Sequence, residues 1–435
     1  MLRIVEATNQ RAVRALLTPA RFIDSATERH VAAIVEAVRR EGNKALLRYT
    51  RQFDPVAGPL EVTQDEMRAA AIQVPRTVRS AIRNAARNIR KVARHQVPRG
   101  WRTSVKPGVS VEQRILPLDR VGCYVPGGRY PLPSSLLMTA LPAAVAGVPE
   151  IIVVCPRPEP VVMAAALEAR VTRMFRMGGA HAVAALAYGT RTVPRVDKIV
   201  GPGNRYVSSA KALVAQDCAI DFYAGPTEIV IVSARGPAAW IAADLIAQAE
   251  HDPDARAVLI TPSRTLAARV ARAVEAQMPQ KGPARAALRA HGGIIVTASS
   301  KEAMALANTS APEHLVVDDD RLASMVRCAG SVFVGPWTAQ VAGDYAIGSN
   351  HVLPTAGAAR ARGGLSAADF VRQITVQHAT KAGLGRIGDT VMTLATAEGL
   401  MGHAASIDIR LKSSATQRTR NSSNPKSSKA GGKST

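Results

Sequence analysis

The chain has 435 residues, which is enough for two or more packed domains and excludes a single small core. Apolar residues make up 47% and charged residues 20%, as in folded globular proteins, and no apolar run approaches the ~20 residues of a membrane-spanning helix. The formal net charge of +23 would suit a nucleic-acid partner, but aromatic residues are only 4% of the chain and do not interleave with the cations, so base-stacking platforms are not expected.

The N-terminal stretch lacks the long apolar segment of a secretory signal, so a cytoplasmic location is expected. The cysteines lie far apart and include no Cys-x-x-Cys pair. They therefore predict reduced, mostly buried thiols and argue against a zinc ribbon or a disulfide framework. The four are Cys123, Cys155, Cys218 and Cys328.

Helices dominate the first hundred residues. Ser25 and Glu28 form a capping-box pattern, and apolar residues then recur at helical spacing until Gly42. A dense group of cations between Arg76 and Arg94 alternates with apolar residues at the same spacing. This pattern predicts an amphipathic helix with a solvated basic face.

From residue 122 onward, strand-like and helix-like segments alternate. A Gly/Pro-rich loop over 122–133 comes first, and Ala-rich helices are predicted at 164–174 and 206–215. Short apolar runs predict buried strands at 151–155, 198–200, 229–232, 257–260, 293–296 and 315–317. This alternation indicates a mainly parallel, doubly wound α/β architecture in two units that divide near residue 230.

Two segments carry side chains suited to metal binding and acid–base catalysis. Gln248 and His251 are three residues apart on a predicted helix that ends at Pro253, so both can reach one ion. Glu313 and His314 lie where a loop enters a strand, and α/β sheets often place catalytic groups at such edges. Each pattern alone is also typical of ordinary surface residues.

Further candidates lie nearer the C-terminus. Asp344 and His351 occupy a Gly-flanked loop before a proline turn, and His403 lies near the end of the folded part. With Gln248 and His251, they offer enough nitrogen and oxygen donors for a four-ligand zinc site. Spacing alone leaves open whether the fold brings them together.

Four glycine loops could meet phosphates, at 124–129, 178–181, 201–204 and 224–228. None is a Gly-x-Gly-x-x-Gly turn after a strand or a Walker loop, so each is first of all a turn.

Together these segments resemble the histidinol dehydrogenase family, from about residue 23 to 411. Six blocks occur in the family's order: Tyr-Val-Pro-Gly-Gly at 124–128, Val-Asp-Lys-Ile-Val-Gly-Pro-Gly-Asn at 196–204, Ala-Gly-Pro-Thr-Glu at 224–228, Gln-Ala-Glu-His at 248–251, Ala-Pro-Glu-His at 311–314, and Gly-Asp-Tyr-Ala at 343–346 with Asn-His-Val-Leu-Pro at 350–354.

The resemblance implies an NAD-dependent and zinc-dependent enzyme that oxidises L-histidinol to L-histidine with two NAD and an enzyme-bound aldehyde-level intermediate. It implies catalytic residues Glu313 and His314, and one zinc ion per subunit. The implied zinc ligands are Gln248, His251, Asp344 and His403, the last coming from the other chain of a homodimer with a shared active site. Implied NAD contacts are Tyr124, His181 and Asn204, and implied substrate contacts are Thr227, His351 and Glu398 together with Glu313 and the four zinc ligands.

In this scheme His314 takes the hydroxyl proton while hydride leaves for NAD, and Glu313 then activates water for the second oxidation. Three departures from the family pattern stand out. His181 replaces a usual Gln, Thr227 replaces a usual Ser, and 370–375 lacks the usual basic, hydroxyl-rich character.

We expect an α/β fold of two doubly wound, Rossmann-like domains with small helical N- and C-terminal extensions. The expected boundaries are an N-terminal extension at 1–20, a first domain at 21–123 and 230–365, a second at 124–229, a dimerisation segment at 366–411, and a disordered basic tail at 412–435. The tail holds six cations and no acid.

Three alternatives compete with this interpretation. The first is a related dehydrogenase of another small polyol or amino alcohol, and the second is a thiol-based aldehyde dehydrogenase that uses Cys123. The third is a basic RNA-binding or anchoring protein, although neither a nucleic-acid nor a membrane partner is expected.

Overall fold

The computed structural model describes residues 2–18, 24–55, 58–127, 130–223 and 225–412. The chain divides into two compact units. The first comprises Met1–Val97 and Pro117–Val371, and the second comprises Pro98–Leu116 and Arg372–Thr435. None of the helices in the described ranges has both the length and the hydropathy needed to cross a bilayer.

The first unit contains two six-stranded sheets. One of them, called here the first sheet, is parallel at every strand pair. Its strands, in spatial order, are Arg3–Glu6, Gly293–Val296, Arg256–Thr261, Glu228–Val232, His314–Val317 and Ser331–Val334. The central strands each contain a run of four consecutive buried apolar residues, 257–260 and 229–232, because helices cover both faces. The helices of this part are Gln10–Leu17, Ala238–Ala249, Arg264–Gln277, Ala284–His291, Ser300–Ser310, Asp320–Ala323 and Gln340–Tyr345.

The second sheet is parallel except at one edge, where Glu61–Val62 runs antiparallel to its neighbour. Its strands, in spatial order, are Glu61–Val62, Arg173–Phe175, Glu150–Val154, Arg120–Tyr124, Lys198–Val200 and Ala219–Ile220. Its helices are Ser25–Glu41, Asn43–Phe53, Gln64–Gln73, Arg76–Gln96, Pro133–Ala146, Pro160–Glu168, Gly179–Tyr188 and Arg205–Val214. Short 3₁₀ turns at Ala358–Arg360 and Ala367–Phe370 follow later in the chain.

The second unit is built from a small sheet and two helices. The sheet has the strand order Val371–Ala379, Val109–Pro117 and Trp101–Lys106, and the last two form an antiparallel pair. Helices Lys381–Ala397 and Met401–Lys412 pack against each other. The C-terminal extension was predicted to be entirely helical. Strand Val371–Ala379 and the hairpin of Trp101–Lys106 and Val109–Pro117 were therefore not predicted. All residues of the predicted tail except Lys412 lie outside the described residues.

The two doubly wound α/β layers confirm the predicted fold class, and all six predicted strands are present. One predicted helix is different. The helix at Pro160–Glu168 stops early, Arg170 adopts a left-handed conformation with φ of 58°, and strand Arg173–Phe175 occupies the end of the predicted 164–174 segment. A residue with positive φ cannot continue a right-handed helix.

The first long helix begins as predicted, but its cap is one residue earlier. The side chain of Asp24, and not that of Ser25, accepts the backbone N–H of Thr27 at 2.7 Å. A carboxylate at this position also interacts favourably with the positive end of the helix dipole.

Sheet membership differs from the predicted grouping of 21–123 with 230–365. Strands Glu61–Val62 and Arg120–Tyr124 belong to the second sheet, and the helices between residues 25 and 96 pack with helices of that sheet. Conversely, Arg3–Glu6 pairs with Gly293–Val296, so the predicted helical extension at 1–20 includes an edge strand of the first sheet. The apolar stripe of Ser25–Glu41 packs in one core cluster with Gly179–Tyr188, and this burial decides its partner.

Candidate active site

A cavity of about 1270 Å³ opens in the first unit, and its lining includes most of the predicted site residues. On the second sheet it lies at the carboxyl ends of strands, after Tyr124 and Val200. On the first sheet it lies at the amino ends of strands, because Thr227 and Glu313 precede theirs. Glu313 and His314 thus occupy a loop-to-strand edge as predicted, but at the end opposite to the usual ligand-binding edge of α/β sheets.

The strand register brings the catalytic candidates together. Ile229 lies opposite His314, so the residues just before the two strands are neighbours. One oxygen of Glu313, Oε2, accepts the hydroxyl hydrogen of Thr227 at 2.5 Å and the backbone N–H of Glu228 at 2.8 Å. The side chain is buried, and burial raises the pKa of Glu313 to about 8, while the two hydrogen bonds act in the opposite direction.

The neighbouring imidazole of His314 is held in one tautomer. Its Nδ1 lies 3.2 Å from the carbonyl oxygen of Glu228, which can only accept, so Nδ1 carries the hydrogen. Its Nε2 therefore carries a lone pair, and this buried atom has no hydrogen-bond partner among the described residues. Burial lowers the pKa of His314 to about 3, so the ring is neutral.

Asp344 and His351 lie next to this pair. Asp344 Oδ1 is 3.9 Å from His314 Nε2 and 3.9 Å from His351 Nδ1, and its Oδ2 accepts from Gln340 Nε2 at 2.8 Å. Burial raises the pKa of Asp344 to about 6 and lowers that of His351 to about 4. Asp344 lies on the short helix Gln340–Tyr345, where a loop was predicted. The helix brings Gln340 and Asp344 onto one face, because residues four apart on a helix are neighbours and can hydrogen-bond.

Of the predicted pair Gln248 and His251, His251 lines the cavity, whereas Gln248 does not and contacts a lining residue, Thr227. Gln248 is completely buried, and its Nε2 donates to Thr227 Oγ1 at 2.5 Å, while its Oε1 has no hydrogen-bond partner among the described residues. His251 lies just beyond helix Ala238–Ala249, which ends four residues before Pro253. Burial is the largest influence on the pKa of Asp344 and raises it, while the hydrogen bond from Gln340 and a Coulombic contribution from His251 act in the opposite direction.

The last two predicted site residues belong to the second unit. Glu398 caps helix Lys381–Ala397, and His403 lies in the first turn of helix Met401–Lys412, where both side chains are exposed. The lining of the cavity, as far as the chain is described, comes from the first unit alone. Within the described ranges, no three His, Cys, Asp or Glu side chains form a group that could hold a metal ion.

The predicted NAD contacts line another part of the cavity, near the second sheet. Tyr124 is buried, its hydroxyl accepts the backbone N–H of Gly179 at 3.0 Å, and burial raises its pKa. Asn204 caps helix Arg205–Val214 by accepting two backbone N–H groups. The ring of His181 is buried, and burial lowers its pKa to about 4.

Asp54 is a site residue that the sequence analysis missed. Its Oδ2 lies 3.5 Å from His181 Nε2 and accepts the backbone N–H of Gly178 at 2.9 Å. More than a hundred residues separate Asp54 from both partners, so no local pattern connects them. Gln340 was also missed, but its spacing of four residues from Asp344 was visible in the sequence.

The thiol of Cys123 does not suit a nucleophile. The side chain is buried, and burial raises the pKa of Cys123 to about 12, so the reactive thiolate is strongly disfavoured. Cys155 and Cys218 are buried as well, and Cys328 is half-buried, as the sequence predicted for most of the four.

Comparisons with known proteins agree along nearly the whole chain. A family model described as histidinol dehydrogenase matches residues 19–411. Histidinol dehydrogenase of Geobacter sulfurreducens is 44% identical over 400 residues, covering 88% of this chain and 93% of that protein. That of Halobacterium salinarum is 46% identical over 394 residues, covering 88% and 92%. The crystal structure of histidinol dehydrogenase from Elizabethkingia anophelis superposes with a TM-score of 0.89 at 33% identity, covering 95% of this chain and 98% of that chain.

Proposed function

This chain belongs to the histidinol dehydrogenase family, and we propose that it catalyses the four-electron oxidation of L-histidinol to L-histidine with two NAD. The observation that carries the proposal is the buried pair Glu313 and His314 at the wall of a cavity large enough for a dinucleotide and a small substrate. NAD, when bound, supplies the hydride acceptor.

His314 is the proposed base of the first oxidation. Its Nδ1–H is engaged with the Glu228 carbonyl, so the lone pair on Nε2 is free to accept the hydroxyl proton of the alcohol. Loss of that proton and of a hydride from the same CH₂–OH group gives the aldehyde.

Glu313 is the proposed base of the second oxidation. As a carboxylate it takes a proton from the water that adds to the aldehyde carbon, and the resulting hydrate, in its alkoxide form, then loses a hydride to give the acid. The hydrogen bonds from Thr227 and the Glu228 N–H orient the carboxylate through Oε2. Both bonds also stabilise the charged form that this step requires.

One zinc ion per subunit is proposed, held by Gln248, His251, Asp344 and His403 of the partner subunit. The donors suit zinc, since they comprise an amide oxygen, a carboxylate and imidazoles. The unpartnered, buried Oε1 of Gln248 supports the assignment, because a buried acceptor without a donor costs free energy that a cation would offset. Zinc, when bound, supplies a Lewis acid and a template for the imidazole and amine of histidinol.

The proposed NAD contacts are Tyr124, His181 and Asn204. All three line the cavity. His181 also has a buried Nε2 without a hydrogen-bond partner among the described residues, which leaves that atom available to a ligand.

Substrate recognition is assigned to polar groups around the catalytic pair. Thr227 and His351 line the cavity beside Glu313 and His314. Glu398 adds a carboxylate suited to an amine, and the zinc ligands complete the set. Because Glu398 is an exposed residue of the second unit, its role depends on the assembly of two chains.

A homodimer with a shared active site is supported by the exposed apolar side chains of the second unit. Leu394, Met401 and Ile409 are 58%, 61% and 65% exposed, and helix Met401–Lys412 buries none of its described side chains. Exposed apolar groups of this size are typical of interfaces. The same segment carries Glu398 and His403, so its docking on a partner would deliver both residues.

A cytoplasmic location is proposed on the cysteines. All four are free, which is the usual state of thiols in a reducing compartment. Cell fractionation with an antibody to the chain would check it.

The deciding experiment measures NADH formation by the purified protein with L-histidinol before chelation, after chelation, and after zinc is restored. We expect activity that is lost and then recovered, with two NADH for each histidine formed. An amino alcohol without the imidazole is the control substrate. Turnover of that control but not of histidinol would replace the proposal with a related dehydrogenase, and activity that persists without metal would remove zinc from it.

A further inference from the structure

The loop over 201–204 forms part of the cavity wall between strand Lys198–Val200 and helix Arg205–Val214. Its first residue, Gly201, has a φ of 118°, a conformation that L side chains rarely adopt. A Cβ at Gly201 would collide with the backbone carbonyl of Tyr124. At Gly201 the backbone of this loop therefore lies directly against that of Tyr124, with no space between them for a side chain.

A buried ion pair holds both polar backbone groups of Gly201. Lys211 and Asp221 are 2% and 3% exposed and form a salt bridge through Nζ and Oδ1. Lys211 Nζ donates to the carbonyl oxygen of Gly201 at 3.0 Å, and Asp221 Oδ2 accepts the N–H of Gly201 at 2.8 Å. Asp221 Oδ1 also accepts the N–H of Phe222, a further cavity residue, at 2.6 Å.

The local fold explains how the two side chains reach the loop. Lys211 lies two helical turns after Asn204 on the same helix face, and long side chains of a helix lean towards its N-terminus. Asp221 follows the edge strand Ala219–Ile220, and its backbone N–H donates to the carbonyl of Ile199 in the neighbouring strand. Both charges thus converge on one peptide unit.

Stability alone is a weak reason for such a pair. Removing two charges from water costs about as much free energy as their attraction returns, and well-packed apolar residues often replace a buried pair without loss. What apolar residues cannot supply is a donor for the Gly201 carbonyl and an acceptor for its N–H.

We propose that Lys211 and Asp221 are positioning residues for NAD, which clamp Gly201 so that the loop over 201–204 has its binding conformation before the cofactor arrives. The inference rests on the proposed function, in which Tyr124 and Asn204 contact NAD. It adds two residues that act through the backbone of this loop without touching the cofactor.

The test replaces both charges at once with Lys211→Met and Asp221→Leu, so that no lone charge stays buried. If release of Gly201 leaves about a tenth of the molecules with a competent loop, the Kd for NAD rises about tenfold. The kcat at saturating NAD and the affinity for histidinol stay close to the wild-type values. Gly201→Ala leaves the charges in place but displaces the loop, and it should weaken NAD binding in the same way.

Arg90→Met with Glu168→Leu is the matched control. It removes a partly buried ion pair of 2.7 Å in the same unit that does not touch the loop, and its Kd for NAD should be unchanged. Circular dichroism and thermal unfolding establish that each variant is folded. Should the double variant not fold, Lys211→Gln with Asp221→Asn gives the same comparison with a smaller loss, because it also leaves no lone charge buried and keeps an acceptor oxygen for the Gly201 N–H.

Isothermal titration calorimetry of NAD, and separately of histidinol, with the zinc-loaded protein then decides. Unchanged NAD affinity in a folded double variant overturns the clamp, and so does an equal loss of affinity for NAD and histidinol, which would indicate general loosening of the fold. If the wild type binds no NAD at all, the proposed function fails and the inference fails with it. If the wild type binds NAD and both variants bind it equally well, only the inference fails.

Discussion

Burial acts in opposite directions on the two proposed catalytic bases. It raises the pKa of Glu313 to about 8 and lowers that of His314 to about 3, because a low-dielectric site disfavours the charged form of each group. Near pH 7 both side chains are therefore predominantly neutral. The imidazole is already in its proton-accepting form, whereas the carboxyl group must first lose a proton.

The rate of histidinol oxidation is accordingly expected to depend on the ionisation of Glu313. Since the second oxidation requires the carboxylate, kcat should rise with pH, pass its midpoint near the pKa of about 8, and level off above it. Glu313→Gln should lower histidine formation by about 10²- to 10⁴-fold, the usual contribution of a general base, and abolish the pH dependence. Steady-state rates from pH 6 to 10 and a single-turnover count of NADH measure both effects.

Glu36→Gln, at an exposed position of the first long helix, is the control and should behave as the wild type. A flat profile across this pH range in the wild type would rule out Glu313 as the titrating base.

A substitution of His181 tests the departure from the family pattern in the proposed NAD region, where this chain has His in place of the usual Gln. Burial lowers its pKa to about 4, so the ring stays neutral above pH 6, and the Kd for NAD should not change between about pH 6 and 9. His181→Gln should leave the Kd within about threefold, since an amide offers comparable hydrogen bonds. The substitution should lower the unfolding temperature, because it removes a ring whose centroid lies 6.3 Å from that of Tyr49 and 6.0 Å from that of Phe53. An NAD affinity that changes between pH 8 and 6 in the wild type but not in His181→Gln would show that His181 titrates in this range.

At the scale of elements, the sequence predicted those strands whose apolar residues form a clear pattern. Strands Glu150–Val154 and Arg256–Thr261 each contain a run of four apolar residues because both faces of the sheet are covered, so their positions were visible. Strand Trp101–Lys106 has no buried residue, and Trp101 and Val105 are its only apolar side chains, so its hydrophobic pattern was too weak to indicate a strand. The same holds for Val371–Ala379, where no side chain is fully buried.

The site residues likewise divide into those that a sequence motif indicated and those that none did. Gln248, Glu313 and Asp344 were named from motifs. The fold places Glu313 and Asp344 in the cavity wall, and Gln248 donates a hydrogen bond to Thr227 of the same wall. Asp54 and the pair Lys211 and Asp221 escaped notice, since their partners are a backbone N–H or carbonyl that only the tertiary fold brings near. A role that depends on such contacts has no signature in residue type or spacing.

The exposed apolar side chains of the two C-terminal helices should hold the proposed dimer together. Leu394→Lys with Ile409→Lys places charges on side chains that are more than half exposed, so the folded chain should tolerate them, while an apolar interface should not. We expect a monomer in sedimentation velocity, with activity lost in parallel. Ile72→Lys changes an isoleucine that is 74% exposed in the first unit and should leave the mass and the activity unchanged. A double variant that stays dimeric would exclude this face from the interface.

His403 tests whether the same segment contributes to the metal site. The side chain is exposed, so His403→Ala should cost little stability, yet it should lower zinc content and abolish histidinol oxidation. Metal analysis after dialysis, together with thermal unfolding, separates these effects. His95→Ala, a change of an exposed histidine on helix Arg76–Gln96, should keep its zinc. Full zinc retention in His403→Ala would remove this residue from the ligands.

At the scale of the molecule, two sheets with opposite orientations toward the cavity create one site. The first sheet contributes the amino ends of its strands and the second contributes the carboxyl ends, within a single compact unit. The proposed catalytic and NAD residues are therefore separated by sheet, with Glu313 on one side and Tyr124 on the other. The sequence predicted two α/β layers but not which strand ends would meet, because strand order and direction follow from long-range packing.

The charge of the whole molecule also divides between the part that carries the proposed activity and the part that does not. The family model ends at residue 411, and residues 413–435 contain five cations and no acid. A chain shortened to residues 1–412 should keep kcat, the KM for NAD and the unfolding temperature of the full chain. Its weak, salt-dependent binding to a polyanion such as heparin should decrease, since each cation lost removes about one counterion from the release that drives such binding. Activity assays and heparin elution at increasing salt compare the two chains directly. A loss of histidinol oxidation on truncation would mean that the basic segment serves the active site, and polyanion binding that is undiminished would assign the charge effect to the helix Arg76–Gln96 instead.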